Sequence, residues 1–399
     1  MGTLKISNFG AIKEANLEIK KINVFIGHTS TGKSTAAKLL AIFNSRELLR
    51  IPNGNISGFE NLLKKYDIDF DIHENTEIYY KQNKYFWKIS KGKFETNNDD
   101  AEILKYTNQS DLIKRFLSQK QGEEEFSSLI NTVKETLKKD DSLFQEMLLS
   151  FTVMAEIESK HQLKNPIYIP AERLLISTFS NSMFSLLEAG AAIPECISRF
   201  GALYESARRR RKETFIDILK IKVHFNKEND TVTISDNNQI SLKQASSGIL
   251  SILPLWTVLE FNLRTSAKNF ILIEEPELNL YPTVQLDLIN WIMKKMSNSR
   301  SSIVITTHSP YILTAIDDLI MGYDIYNKNR TQPEIRNKIA TLLPKDSLIS
   351  FDEISSYFFA ENGIIKDILD KETRSVGAEY LDEASERTSH IFNELSNLL

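Results

Sequence analysis

The spacing of hydrophobic and polar residues changes period several times along the chain, and each change marks an element. Leu4-Lys5-Ile6 and Asn16 to Ile19 alternate apolar and polar positions, as half-buried strands do. Ile22-Asn23-Val24-Phe25-Ile26 is a short, largely apolar run stopped by Gly27, the pattern of a buried parallel strand. A helix is predicted from Lys33 to about Asn44. Ile78-Tyr79-Tyr80 and Tyr85-Phe86-Trp87-Lys88-Ile89 read as strands of a small hairpin. Beyond Asn97-Asn98-Asp99-Asp100 the period becomes helical, with Leu112 and Phe116, then Leu129, Val133 and Leu137, at i, i+4 spacing. A third helix covers roughly Ser142 to Lys160. No heptad repeat persists, so residues 51–165 are predicted as an inserted, mainly helical lobe and not as a long coiled-coil arm.

The core pattern resumes with Ile167-Tyr168-Ile169 and breaks at Pro170. A helix over Pro194 to Lys212 follows, then strand-like runs at Ile218 to Phe225, Thr231 to Ile234 and Ile240 to Leu242. After these come a helix from Gly248, a strand Phe270 to Ile273, a helix from Pro282 to about Met296 and a strand Ser302 to Thr306. Strands alternating with helices predict an α/β protein with a mostly parallel sheet. Its core is written in two segments, 1–50 and 166–325. The segment 326–399 reads as a strand pair, Ile349 to Phe359 and Ile364 to Leu369, with a closing helix from about Glu379 to Leu398.

Composition sharpens this picture. At 399 residues the chain exceeds one ordinary core, which fits a core carrying an insertion. Its 41% hydrophobic and 26% charged residues suit a soluble globular protein. A single cysteine, Cys196, excludes an internal disulfide framework and a Cys-rich zinc site, and the six histidines show no metal-ligand spacing. No apolar run approaches the ~20 residues of a membrane helix. The N-terminus lacks the apolar stretch of a signal peptide, so a cytoplasmic protein with no membrane partner is expected.

With 49 basic and 53 acidic side chains the net charge is −4, so any contact with nucleic acid must use a local patch. The main basic run is Arg208-Arg209-Arg210-Arg211-Lys212, expected to be largely solvated because consecutive helical positions point to different faces. It is either a solvated or ion-paired helix end, or a contact for nucleic acid or an acidic partner protein.

Four motifs carry chemistry. Gly27-His28-Thr29-Ser30-Thr31-Gly32-Lys33-Ser34-Thr35 contains a complete G-x-x-x-x-G-K-[ST] loop between a strand and a helix. Its glycines let backbone N–H groups wrap phosphate oxygens, Lys33 supplies positive charge for the β and γ phosphates of ATP, and the Ser34 hydroxyl can ligate Mg²⁺. Phe270-Ile271-Leu272-Ile273-Glu274-Glu275-Pro276-Glu277 is a buried strand with carboxylates at its C-terminal end, where open α/β sheets bind ligands. There Glu274 would hold the Mg²⁺ hydration shell, and Glu275 would orient or deprotonate the attacking water. Ile303-Val304-Ile305-Thr306-Thr307-His308 ends a third strand on a histidine, either structural or a contact for the γ-phosphate. Ser246-Ser247-Gly248 precedes an apolar helix and offers an anion site at its N-terminus, although such a sequence is also a common loop.

In this order the motifs resemble the ABC-type P-loop ATPases. The closer likeness is to the branch holding RecF, the chromosome-organising ATPases and the overcoming-lysogenisation (OLD) ATPases. The opening Leu4 to Gly10 with Ile22 to Ser34 is similar to how that branch begins. Glu274 to Pro282, Tyr168 to Arg173 and Thr307 to Tyr311 look like the OLD members, whereas transporter ATPases usually carry Asp-Glu after the acidic-motif strand.

The resemblance implies that two ATPs are sandwiched between two protomers in a homodimer or higher oligomer. Ser246, Ser247 and Gly248 of one subunit would then reach the γ-phosphate held by Lys33 of the other. Two positions depart from the family pattern. The signature is Ala-Ser-Ser-Gly instead of Leu-Ser-Gly-Gly, and no glutamine marks the loop that couples phosphate to the insertion, with Glu172 or Arg173 nearby as substitutes.

OLD-type proteins often continue into a Toprim nuclease, for which the residues after His308 leave no room, so an effector such as a nuclease is expected on a separate chain. The chain thus resembles the stand-alone ATPases of PARIS- and Septu-type antiviral defence, which implies a sensor that holds or releases a toxic effector. The alternative is a RecF-like DNA-repair ATPase that clamps DNA directly. A transporter's nucleotide-binding subunit is the third reading, and the insertion over 51–165 speaks against it.

Overall fold

Two alternating strands open the chain, β1 (Gly2–Phe9) and β2 (Ile12–Ile19), paired antiparallel with Leu4 opposite Leu17. Strand β3 (Ile22–Gly27) is buried at every position, as its apolar run requires. Helix α1 (Lys33–Phe43) follows directly on the glycine-rich loop. Two short helices come next, α2 (Arg46–Leu49), capped by Ser45, and α3 (Ile56–Lys65), capped by Asn55. A three-stranded meander completes the lobe: β4 (Glu77–Gln82), β5 (Tyr85–Ser90) and β6 (Lys93–Thr96). The computed structural model describes residues 2–98, 164–179, 193–226, 229–235, 238–263 and 268–377, with the single positions 160 and 393. Apart from those single positions, the helices expected around Leu112 and Phe116, Leu129 to Leu137, Ser142 to Lys160 and Glu379 to Leu398 lie outside the described residues.

Strand β4 pairs antiparallel with β1, setting Tyr80 opposite Leu4, so the sheet runs β2-β1-β4-β5-β6. The hairpin expected at the start of a separate 51–165 lobe is therefore part of the first core segment. Ile78, Tyr80, Trp87, Ile89 and Phe94 are buried in one cluster with Leu4, Ile6 and the α1 residues Leu39 and Phe43. The alternation of β4 and β5 gave each strand one apolar face, and the open face of β1 and α1 is where it packs.

The second segment supplies β7 (Asn165–Ile169), α4 (Arg173–Phe179), α5 (Glu195–Arg209) and a small antiparallel sheet. That sheet holds β8 (Glu213–Ile216), β9 (Ile221–His224), β10 (Thr231–Ser235) and β11 (Asn238–Ser241) in sequence order. Then come α6 (Ser247–Asn262), β12 (Asn269–Glu274), α7 (Pro282–Ser297), β13 (Ser302–Thr307), α8 (Pro310–Lys328) and α9 (Pro333–Leu342). Strands β14 (Ile354–Phe359) and β15 (Ile365–Asp367) follow.

The main sheet has the order β15-β14-β3-β13-β12-β7, with every pair parallel except β14 and β15. Period-two alternation splits its side chains between two cores. Val24, Ile271, Ile273, Ile303 and Ile305 face α6, α7 and α8, while Phe25, Leu272 and Val304 face α1. A boundary at 326 does not hold, since it would cut α8, and β14 is a core strand lying beside β3.

Pro254 lies inside α6 and has no N–H to give the carbonyl of Leu250. That carbonyl instead accepts the Ser177 hydroxyl at 2.8 Å, which fastens α4 to α6. Among the described residues no helix is long and apolar enough to cross a membrane.

Candidate active site

The loop Gly27–Thr35 joins the C-terminal end of β3 to α1, and its glycines stand where no side chain fits. Gly27 has φ +148°, and a Cβ there would meet the Phe359 carbonyl oxygen at 2.3 Å. Gly32 has φ +96°, with Ile12 Cγ1 at 2.5 Å from the same imagined atom. Ser30 also takes the left-handed conformation, and the Thr31 hydroxyl donates to the His28 carbonyl at 2.8 Å. Thr29 and Ser34 are exposed, Thr35 is buried, and His28 is half exposed with Nδ1 4.0 Å from Glu361 Oε1. Lys33 is buried, and its ammonium donates to the carbonyls of Gly27 at 2.8 Å and His28 at 2.6 Å. Burial pushes its pKa down to about 8, while the nearby Glu275, Glu277 and Glu274 pull it back up.

Strand β12 runs two strands away from β3 and delivers the acidic turn to the same end of the sheet. Glu274 is buried, and burial raises its pKa. Lys38, the Tyr168 hydroxyl and the Ser34 hydroxyl act against that penalty. Its Oε2 accepts the Tyr168 proton at 2.9 Å, whereas Oε1 is fully buried with no hydrogen-bond partner among the described residues. Glu275 adopts φ +44°, a left-handed conformation that is strained for a side chain of this kind. Its Oε1 lies 3.1 Å from His308 Nε2, a contact that holds the carboxyl below the usual range, aided by Lys33 and Arg173. Glu277 locates the histidine: its Oε1 accepts the Thr307 hydroxyl at 2.6 Å and the His308 N–H at 2.8 Å. Burial raises the Glu277 pKa as well.

Beneath this turn lies Arg173, buried at the start of α4 and paired with no carboxylate side chain among the described residues. Its Nε donates to the Ser251 carbonyl at 3.0 Å. Nη1 donates to Pro170 at 3.1 Å and Glu274 at 2.8 Å, and Nη2 to Glu275 at 2.8 Å and Pro276 at 3.3 Å. Five N–H groups meet five backbone carbonyls, so the guanidinium is fully used and fixes the path of the acidic turn. Burial lowers its pKa to about 10. Arg173 is thus committed to the backbone of this loop.

Ser246 caps α6 by accepting the Ile249 N–H, Ser247 opens the helix, and a Cβ on Gly248 would meet the Asn279 carbonyl oxygen at 2.8 Å. The segment is therefore held against the loop that follows the acidic turn. That loop is tied in turn to the histidine loop. The Ser309 hydroxyl donates to Gln285 Oε1 at 2.6 Å, and Gln285 Nε2 donates to the Leu280 carbonyl at 3.0 Å. Tyr168, Arg173, Glu277 and Ser309 lie within the quoted motifs without a role assigned there, and Gln285 lies outside them; their hydrogen bonds are visible only in the folded chain.

The basic run lies at the end of a helix and is partly ion-paired. Helix α5 ends at Arg209, and the turn that follows throws the arginines back onto their own chain. Arg208 makes a two-pronged pair with Asp230, at 2.8 and 2.6 Å, with both side chains largely buried. Arg211 faces the buried Glu260 at 3.8 Å, Arg209 faces Glu205 at 3.3 Å, and Arg210 lies over the Phe261 ring. Arg209, Arg210 and Lys212 are exposed, while Arg208 and Arg211 are paired with buried carboxylates, so the run is the expected solvated and ion-paired helix end, with part of its charge matched internally.

A buried, unpartnered carboxylate oxygen beside a serine hydroxyl suits a hard cation that takes oxygen ligands and is completed by phosphate and water. Glu274 and Ser34 thus fit Mg²⁺.

Residues 1–313 match the family described as AAA ATPase domain. No curated protein matches the sequence. Among solved structures, the Smc head domain with an extended coiled coil bound to the C-terminal domain of ScpA, from Pyrococcus furiosus, is 11% identical with a TM-score of 0.36, over 99% of this chain and 100% of that one. The SMC head domain from Thermotoga maritima is 10% identical with a TM-score of 0.35, over 78% of this chain and 90% of that one. The ADP conformation of an ATP-binding cassette of an ABC transporter is 12% identical with a TM-score of 0.36, over 98% and 99%.

Proposed function

The chain belongs to the AAA ATPase domain family, and on that premise we propose that it is an ATP-driven, Mg²⁺-dependent switch that controls a separate effector chain. One observation carries the catalytic part: Lys33, Ser34, Glu274, Glu275 and His308, drawn from three strand ends, meet at one end of the parallel sheet. Lys33 exchanges the Gly27 and His28 carbonyls for the β and γ phosphates, which restore full charge to a buried ammonium. The N–H groups at the start of α1 and along Gly27–Gly32 receive the remaining phosphate oxygens. Ser34 and Glu274 hold Mg²⁺, which when bound neutralises charge on the phosphates. Glu275, kept ionised, orients the attacking water and accepts its proton, and His308 stands beside it to contact the γ-phosphate.

In the dimer, Ser246, Ser247 and Gly248 of one protomer close over the nucleotide of the other. Exposed Tyr281 and Tyr311 flank the loops concerned and suit a face that a second protomer covers. The effector role, a sensor ATPase of bacterial antiviral defence, is supported by the OLD-like sequences 168–173, 274–282 and 307–311. The internal pairing of Arg208 and Arg211 reduces the basic surface open to DNA to Arg209, Arg210 and Lys212, which speaks against direct clamping of DNA. The test is co-purification of the chain with candidate effector proteins, with and without ATP. A complex that forms or dissolves with nucleotide is expected, and indifference to every partner in both states overturns the effector role.

A further inference from the structure

The pole of the main sheet opposite the P-loop carries a second basic cavity. The strands β3, β7, β12 and β13 all start there, and the space between their first residues and the edge of the β1 sheet is about 420 Å³. That volume lies in the range of small-ligand sites. Among the described residues Lys20, Lys21, Lys164 and Arg300 line it, against two carboxylates, Asp352 and Glu353. Glu353 is already engaged by Lys21 at 3.4 Å, which leaves an excess of positive charge in the recess.

Lys164 is the anomaly. Its ammonium donates to the Ser302 hydroxyl, and no carboxylate is paired with it among the described residues. Burial pushes its pKa down to about 8, and the neighbouring Lys268 and Lys21 push in the same direction. Lys33 is another lysine that burial lowers to about 8, and in that case the surroundings are built for phosphate. Holding like charges together in a recess costs stability unless an anion joins them. The inner wall adds the Tyr80 ring and the amides of Asn44 and Gln82, polar and aromatic groups that suit the organic part of a ligand.

We propose that this cavity binds a small phosphate-bearing molecule of nucleotide size, with its phosphate on Lys164, Lys21 and Arg300. The site is distinct from the P-loop and lies at the opposite ends of the same strands.

The test uses the full chain carrying Lys33→Ala, which removes the P-loop as a competing phosphate site. Pyrophosphate and ADP are titrated into it calorimetrically, with a short DNA duplex as a third arm. Saturable binding of pyrophosphate or ADP is expected, weakened about tenfold or more by Lys164→Met, the loss of one charge-assisted contact. Arg300→Glu, at an exposed position, is expected to weaken it as well and serves if Lys164→Met fails to fold. The proposal is overturned by absence of saturable binding at millimolar ligand, by affinities unchanged in both variants, or by binding of the duplex alone.

Discussion

Arg173 Nη2 donates to the main-chain carbonyl of Glu275 at 2.8 Å, so the residue proposed to handle the attacking water is held by its backbone as well as by its side chain. The strained left-handed conformation of Glu275 persists because the bonds beneath it define the turn. Arg173→Ala leaves buried carbonyls without donors and is expected to cost about 3 kcal/mol of stability. It should also lower kcat at least about tenfold, one misplaced catalytic group being worth more than that. Arg173→Lys keeps a charge but cannot serve five carbonyls, so it should fall between. Urea unfolding and steady-state ATPase assays check both.

Tyr168→Phe removes the proton that Glu274 Oε2 accepts. Burial already raises the Glu274 pKa, and the tyrosine is one of the groups opposing that rise. Without it the carboxyl titrates higher still and loses its charge at a higher pH as acid is added. The acidic limb of the kcat/KM profile should therefore move upward by about one unit, the size of one lost hydrogen bond. An unmoved limb would show that Glu274 is not the group being read.

Lys33 titrates at about 8 in the nucleotide-free chain, below its unfolded value, because burial disfavours the ammonium. A triphosphate favours that charge, so the bound pKa is higher and binding takes up a proton near pH 8. ATP affinity should be full well below pH 8 and fall as pH rises through it, by up to about tenfold per pH unit. Calorimetry in buffers of different ionisation heat measures the proton directly. In the free protein the burial penalty is present at neutral pH and fades above 8, so this lysine should make the apoprotein more stable toward alkaline pH.

Gly27→Ala tests the packing of the loop. Its new Cβ would sit on the Phe359 carbonyl at a backbone angle that side chains avoid. A loss of about 2 kcal/mol is expected, together with weakened nucleotide binding, since β3 must part from β14 to make room. Thermal unfolding and nucleotide titration read the two effects separately.

The P-loop was legible because its residues are contiguous and each has a local reason to be there. The acidic turn and His308 were legible because each ends an apolar strand. Arg173 stands out in the sequence only as a stand-in for the coupling glutamine; its role beneath the acidic turn is hidden, since its carbonyl partners come from the α4 entrance, α6 and the acidic turn, which only the folded chain brings together. Alternation in β4 and β5 revealed an apolar face but not its partner, which is why residues 77–96 read as a separate lobe. Charge counting found Arg208 to Lys212, yet Asp230 and Glu260, which pair two of those arginines, are distant in sequence.

In the mechanism proposed above, Glu275 drives hydrolysis at a site built on Lys33 and Glu274. Its most direct test is ATP turnover by Glu275→Gln beside the unaltered chain, with nucleotide binding measured on the same samples. The variant is expected to bind ATP as tightly, to hydrolyse it about a hundredfold or more slowly, in line with loss of a general base, and to accumulate as an ATP-bound dimer. Hydrolysis at the normal rate would contradict it.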